Sequence, residues 1–205
     1  MRIEIDGMDE LRKQLDDFAG GQAINEALAE GVNKTAEAVL AAEKQAMQSD
    51  LDRPTPFTMK ALRLWKARPK KGRIDALIKM LPIQANYLQY TIMGGSIGGV
   101  VTPTRNARLN KYGNLPGLRG KGLTGIAAKS KKRFVGEING IFGLWERYGR
   151  KARAVKLIAK AEGQGQREGR WDFYGIAERV ANQRLMQDVG EAVQRAIKGA
   201  KGKWR

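Results

Sequence analysis

The sequence predicts an α+β fold, in which N-terminal helices and a C-terminal helix pack on a mainly antiparallel sheet. Apolar residues recur at helical spacing near both ends of the chain, whereas the middle carries pairs of strand-like segments joined by turn-forming residues. A glycine-rich stretch over residues 91–130 predicts a long loop insertion between these segments. At 205 residues with 42% apolar side chains, the chain is expected to form one domain, residues 1–205.

Residues 1–50 predict an acidic, helical N-terminal part. Ile3 and Ile5 alternate with polar residues, which predicts a short strand ending at Gly7 and a helix beginning near Met8. A second, longer helix is predicted from about Gln22 to Gln48. Its apolar stripe comprises Ile24, Leu28, Val32, Thr35, Val39 and Ala42 or Ala46, and Glu26, Glu30, Glu37 and Glu43 are placed elsewhere on the helix.

Residues 51–90 and 131–160 predict a basic β body. In the first part, LRLWKAR and RIDALIKML flank the turn-forming segment 69–72, which indicates a hairpin. AVKLIA, residues 154–159, predicts a further strand in the second part. The polar stretch GQGQREGR that follows this strand predicts a loop.

A second hairpin is predicted at Asn139-Gly140, because this dipeptide suits a type I′ turn in which both central residues need positive φ. Placing Ile138 opposite Ile141 sets Arg133 opposite Glu146 as an ion pair. The other face is expected to be the core side, and it collects Phe134, Ile138, Ile141 and Trp145.

The C-terminal helix is predicted over residues 172–200. Asp172 provides a cap, and lysines near the end of the helix suit the negative end of its dipole. The apolar stripe of this helix is approximated by Ile176, Val180, Leu185, Val189, Val193 and Ile197.

Composition argues against an enzyme. The chain has no cysteine and no histidine, which excludes disulfides, thiolate metal sites, a cysteine nucleophile and the Ser-His-Asp arrangement. A nuclease would need clustered carboxylates, but the middle of the chain offers only Asp52, Asp75, Glu137 and Glu146. The stretch MGGSIGGVV lacks the Gly-Lys-Ser/Thr ending of a phosphate-binding loop. The sequence therefore predicts no catalytic residue, no cofactor and no metal site.

No membrane association is expected. The uncharged stretch between Lys79 and Arg105 is too rich in polar residues and glycine to span a bilayer. The N-terminus carries acidic groups and lacks an apolar core, so a signal peptide is not predicted and synthesis in the cytoplasm is expected.

The net charge of +17 is unevenly distributed. Residues 1–50 hold 5 basic and 11 acidic side chains, whereas residues 51–205 hold 33 basic and 10 acidic ones. An excess of this size predicts contact with a polyanion, through phosphates rather than through base reading. The candidate DNA-facing residues are Lys70, Lys71, Arg73, Lys129, Lys131, Lys132 and Arg133.

The four tryptophans could stack on bases, but packing in the core or at a subunit interface is the preferred interpretation. They are Trp65, Trp145, Trp171 and Trp204.

Several segments resemble those of phage tail-completion proteins. IDGMDELRKQLDDF followed by a long alanine-rich helix is similar to the start of the minor tail protein Z type and its relatives. The resemblance continues through PTPFTMKALRLWKARPKKGRIDALIKM, QANYLQYTIMGG, NARLNKYGNLPG, KARAVKLIA and WDFYGIAERVANQRLMQDVGEAVQRAI. These segments are packing and turn patterns without catalytic groups, so they transfer no active site.

The resemblance implies a structural virion protein of a tailed bacteriophage, assembled in the host cytoplasm and located in the neck at the head-tail junction. There it would form a homo-oligomeric ring, with a hexamer as a plausible size, between the tail tube and the head connector. The implied partners are the tail terminator, the head connector and the tail tube, with nonspecific contact to genomic DNA. The alternative from another class is a free, nonspecific nucleic-acid-binding protein, which would share the positive charge.

Overall fold

The computed structural model describes residues 2–3, 21–69, 74–118, 122–149 and 154–201. These residues belong to two compact units. Unit 1 comprises Met1–Leu51, Pro56–Leu88 and Trp171–Arg205, and unit 2 comprises Asp52–Thr55 and Gln89–Arg170. The α+β class is confirmed, and each unit has its own antiparallel sheet.

Unit 1 is built on two long helices, α1 (Gly21–Asp50) and α5 (Phe173–Lys201). The predicted stripe of α1 is confirmed from Ile24 to Val39, but the last part of the prediction was wrong. Glu43 and Met47 are fully buried there, and Ala42 and Ala46 are only half-buried.

Helix α5 begins after Asp172, as predicted. The backbone N–H of Gly175 donates to Asp172 Oδ1 at 3.1 Å, which satisfies one donor of the first turn. Most of the predicted stripe is only half-buried, because small residues form the face that packs on α1 and the larger residues flank it. The buried positions of α5 are Phe173, Ala177, Ala181, Asp188, Val189 and Ala192.

A charged group lies within the contact between α1 and α5. Asp188 is 1% exposed and accepts hydrogen bonds from Thr35 Oγ1 at 3.1 Å and from Arg184 Nε at 3.3 Å. Lys34 Nζ lies 2.9 Å from Asp188 Oδ1 and 2.8 Å from Glu191 Oε2. The buried carboxylate is therefore paired with cations and hydrogen-bonded, as a buried charge requires.

The sheet of unit 1 contains β1 (Arg2–Ile3), β2 (Leu62–Trp65) and β3 (Ala76–Met80), in the order β1-β3-β2. The first predicted hairpin is confirmed, since Leu62 pairs with Met80 in an antiparallel ladder. Two further helices are α2 (Pro56–Met59), before β2 in the chain, and α3 (Pro82–Met93), after β3, of which residues 89–93 are assigned to unit 2. Residues 70–72 of the turn predicted at 69–72, and the start of the helix predicted from Met8, lie outside the described residues.

An asparagine joins the long helix to this sheet. Asn33 of α1 receives a hydrogen bond from the Ala67 N–H at 2.7 Å and donates one to the Ala67 carbonyl at 3.2 Å. Just beyond β2, the side-chain amide of Asn33 thus satisfies the backbone N–H and carbonyl of Ala67, as a neighbouring strand would.

The sheet of unit 2 contains β4 (Gly95–Pro103), β5 (Arg133–Ile138), β6 (Ile141–Arg147) and β7 (Val155–Arg167), in the order β4-β7-β6-β5. The second predicted hairpin is confirmed in turn and register. Asn139 and Gly140 have φ values of 53° and 75°, and Ile138 lies opposite Ile141.

The prediction of which hairpin face is the core was only partly right. Trp145 is buried, but its neighbours Phe134, Ile138 and Ile141 are half-buried. The fully buried Leu144 points to the opposite face, where it clusters with residues of β7 and of the segment before β5. That segment includes the short helix α4 (Gly122–Ala127), and the cluster comprises Leu115, Leu123, Ile126, Leu144, Ile158 and Ala159.

Two predicted loops are in part strands. The glycine-rich stretch forms β4 over residues 95–103, and the polar stretch GQGQREGR continues β7 as far as Arg167. The two segments pair with each other, from Gly95 opposite Arg167 to Pro103 opposite Ala159. Glycine here permits close packing, because a β-carbon on Gly165 would lie 2.7 Å from Val100 Cγ2.

Candidate nucleic-acid interface

The positive charge of the chain is concentrated in unit 2. The sequence of that unit contains 18 basic and 5 acidic side chains, a net charge of +13. Unit 1 contains 20 basic and 16 acidic side chains, a net charge of +4. Of the excess of +23 in residues 51–205, unit 2 carries +13 and the parts of unit 1 beyond residue 50 carry +10, and the −6 of residues 1–50 reduces unit 1 to +4.

Within unit 2, topology gathers cations at one end of the four-stranded sheet. At this end β5 begins, β6 ends and β7 begins. The backbone N–H of Arg147 donates to the Lys132 carbonyl at 2.9 Å, so the end of β6 lies beside the residue that precedes β5. The N–H of Tyr148 donates to the Ala154 carbonyl at 3.0 Å and joins the end of β6 to the start of β7.

A tight turn presents two lysines at this end. The Arg133 N–H donates to the Ser130 carbonyl at 3.0 Å, and the Lys132 N–H lies 3.3 Å from Ser130 Oγ. These bonds fix the backbone of residues 130–133, and Lys131 and Lys132 are both exposed.

Arg133 has a different environment from the two lysines. Its Nε donates to Glu146 Oε2 at 2.7 Å, and Lys156 Nζ lies 3.0 Å from Glu146 Oε1. The hydrogen bonds from Arg133 and then Lys156 lower the pKa of Glu146, so this carboxyl stays ionised. The predicted pair of Arg133 and Glu146 is confirmed. Arg133 is therefore ion-paired within the sheet. Its position next to Lys131 and Lys132 in the sequence had suggested a cation free to contact DNA.

A fourth strand adds another arginine to this end. Beyond β4, Thr104 Oγ1 donates to the Leu157 carbonyl at 2.6 Å, and Asn106 Nδ2 donates to the same carbonyl at 3.1 Å. The exposed Arg105 lies between these two anchored residues.

We refer to these side chains together as the basic end. Among the described residues it has six cations and one carboxylate, and three of the cations, Lys131, Lys132 and Arg147, adjoin one another through β5 and β6. The set comprises Arg105, Lys131, Lys132, Arg133, Arg147, Lys156 and Glu146. Such a cluster can contact phosphate groups but has no arrangement for reading bases.

The remaining predicted DNA-facing residues fall into two groups. Lys129 is exposed in the turn after α4, with its Nζ 3.1 Å from the position of a β-carbon on Gly117. Lys70, Lys71 and Arg73 lie outside the described residues.

The aromatic side chains divide between packing and exposure. Trp145 is buried, and its Nε1 donates to the Gly136 carbonyl at 3.0 Å. Trp171 is buried in unit 1, which agrees with packing, but Trp65 is 45% exposed on β2. The guanidinium of Arg147 lies 4.8 Å from the centre of the Phe134 ring, and this stacking holds its charge at the basic end. Trp204 lies outside the described residues.

The sequence predicted three of the six cations of the basic end, those at 131–133, but not the other three. Arg105, Arg147 and Lys156 were missed because they are distant in sequence and meet only through strand pairing. The hairpin register was a usable signal for Arg147, since it already placed Glu146 opposite Arg133 and hence Arg147 beside Lys132.

No group of three or more acidic side chains that could hold a metal ion occurs in the described parts of the chain. None of the described helices is long and apolar enough to cross a membrane. Comparison of the chain with protein-family models, with curated proteins and with solved structures found no match.

Proposed function

We propose that this chain is a structural subunit of a tailed bacteriophage, a tail-completion protein at the head-tail junction, and that its basic end contacts the DNA backbone there. In this role it is part of the virion neck. It would form a ring with other copies of itself and join the tail tube and tail terminator to the head connector. It carries out no chemical reaction.

The observation that carries the DNA part of this proposal is the basic end. A ring around a DNA path benefits from positive charge that attracts phosphate without selecting a sequence. Lys131, Lys132 and Arg147 are exposed and have no ion-pair partner among the described residues. The sheet and the turn at Ser130 fix their backbone, so the three side chains start from fixed positions at the same end of the sheet.

The assembly part of the proposal is supported by the family resemblance and by the residues that the chain lacks. A chain without histidine and cysteine has few routes to hydrolysis, and the unit 2 carboxylates Glu137, Glu146 and Glu162 lie on three different strands. Glu146, the most constrained of them, is ion-paired with two cations. These features fit a protein whose task is binding and positioning.

Deletion of the gene from the phage genome that carries it tests the proposal. Lysates should then contain separate heads and tails, and supplying the intact chain from a plasmid should restore joined, infectious particles. Joined particles in normal number without the chain would overturn the proposal.

A charge-reversal variant tests the DNA contact separately. Lys131→Glu, Lys132→Glu and Arg147→Glu together should allow joining but reduce the fraction of particles that retain DNA. The matched control reverses three exposed cations of unit 1, Lys44→Glu, Arg63→Glu and Lys198→Glu, and should behave like the intact chain.

The second candidate is a free, nonspecific nucleic-acid-binding protein. In such a protein the same basic end would bind the phosphate groups. Such a protein would be monomeric or dimeric and would retard DNA in a gel without tail partners. A neck subunit would instead sediment with tails, and its absence would leave them unjoined.

A further inference from the structure

Glu43 is a fully buried carboxyl whose hydrogen bonding is incomplete. It lies on α1 and is 0% exposed. Oε2 accepts a hydrogen bond from Trp171 Nε1 at 2.8 Å, and Oε1 has no partner among the described residues. A buried carboxylate with one donor and no cation is costly, whereas the protonated carboxyl carries no charge to desolvate.

The groups around Glu43 also disfavour its ionised form. Burial raises the pKa of Glu43 to about 7, against the opposing effect of the hydrogen bond from Trp171, and the nearby Asp172 and Asp50 raise it further. Helix α2, which packs on α1, has no titratable side chain. On β2 and β3, which also pack on α1, the cations Arg63 and Lys79 are exposed and form no ion pair with Glu43. On the first turns of α5, Glu178 and Arg179 are exposed, and Arg179 lies 3.8 Å from Asp172 and does not pair with Glu43.

Trp171 connects the Glu43 carboxyl to the beginning of α5. It is 1% exposed and precedes Asp172, the cap of α5. Its ring packs edge-to-face on Phe173, with ring centres 5.2 Å apart. The indole therefore fixes the first turn of α5 against the second half of α1.

We propose that Glu43 and Trp171 form a proton-controlled latch, which holds the first turn of α5 on α1 while Glu43 is protonated and loosens when Glu43 ionises. Ionisation would place an unpaired negative charge in the contact, with Asp172 beside it at the start of α5. Opening of the first turn would let water reach the carboxylate. The latch lies in unit 1 and contains no residue of the basic end.

Replacement of Glu43 by glutamine tests the latch. The amide oxygen of Glu43→Gln can still accept the indole hydrogen bond, but the side chain never ionises. As the pH rises from about 4.5 to about 7, the unfolding equilibrium constant of the intact chain should rise relative to that of the variant, by up to about tenfold per pH unit. The control, Glu37→Gln, removes an exposed carboxyl that pairs with Lys66 on the same helix, and should keep the pH dependence of the intact chain.

A local readout shows whether the hydrogen bond between Trp171 and Glu43 responds to ionisation. The indole N–H resonance of Trp171, identified by its loss in Trp171→Phe, should shift through a transition near pH 7 in the intact chain but not in Glu43→Gln. Identical behaviour in the two chains would overturn the proposal. If the variant does not fold, the Glu43 carboxyl carbon can be titrated in the intact chain by NMR, and a midpoint near 4.5 would overturn the proposal equally.

Discussion

Gly31 of α1 and Val189 of α5 approach so closely that a β-carbon on Gly31 would lie 2.5 Å from the Val189 Cα. No ordinary side chain fits such a gap without moving one helix away from the other. The contact explains why small residues such as Ala177, Ala181 and Ala192 form the buried face of α5. The spacing of the two helices is therefore set by a glycine.

Gly31→Ala is expected to lower the free energy of unfolding by about 1–3 kcal/mol, because overpacking outweighs the better helix propensity of alanine. Gly190 of α5 is the matched control, since a β-carbon there meets no atom within 4 Å. Gly190→Ala should raise the free energy of unfolding by up to about 1 kcal/mol. Chemical denaturation measures both, and equal effects of the two substitutions would contradict the close contact.

Asp188 should make stability sensitive to acid. Burial alone would raise the pKa of Asp188, but hydrogen bonds from Lys34, Arg184 and Thr35 lower it below its ordinary value of 3.8. Its contribution is thus present above pH 3.8 and is lost as the pH falls further. Asp188→Asn should cost about 1–3 kcal/mol at neutral pH, and the deficit should shrink below pH 3.8. A deficit of constant size across this range would show that the charge of Asp188 contributes nothing.

Core substitutions in unit 2 should distinguish the two faces of the β5–β6 hairpin. Leu144 is 0% exposed, so Leu144→Ala is expected to cost about 2–5 kcal/mol. Ile141 lies on the other face and is half-buried, so Ile141→Ala should cost clearly less. If thermal denaturation shows a larger loss of stability for Ile141→Ala than for Leu144→Ala, the face that contains Ile141 is the core face, as the sequence pattern predicted.

These elements show where sequence patterns suffice. The Asn139-Gly140 turn fixed the hairpin register correctly, because the turn type and the pairing are both local. The core face of the same hairpin could not be read locally, since Leu115, Leu123 and Ile126, which cover Leu144, come from a stretch predicted as loop. Alternation alone shows that a strand has two faces but does not show which one another segment will cover.

Other features depended on distant partners. The burial of Glu43 is determined by Trp171, 128 residues further along the chain. Strand β4 and the part of β7 beyond Ala159 lack the apolar pattern that marks a strand, and these two glycine-containing segments pair with each other. The same limit applies to the basic end, where Arg105 and Arg147 meet the lysines only through the sheet.

Hydrogen exchange should show that the glycine-rich stretch is ordered. The backbone amides of β4 that donate to β7 should exchange more slowly than those of Leu109 and Lys111, which are exposed and lie in a segment without a strand. NMR or mass spectrometry can follow both segments in one sample. Equally fast exchange in the two segments would support a loop over residues 95–103.

The salt dependence of DNA binding tests most directly whether the basic end is the surface that meets nucleic acid. For the intact chain, the logarithm of the binding constant for duplex DNA should fall linearly with the logarithm of salt concentration. Lys131→Glu, Lys132→Glu and Arg147→Glu together should make this slope shallower by about 3, at roughly one phosphate contact per side chain. The unit 1 reversal of Lys44, Arg63 and Lys198 changes the net charge equally and should leave the slope nearly unchanged. Equal slopes for the two reversed variants would contradict the assignment of the DNA contact to the basic end.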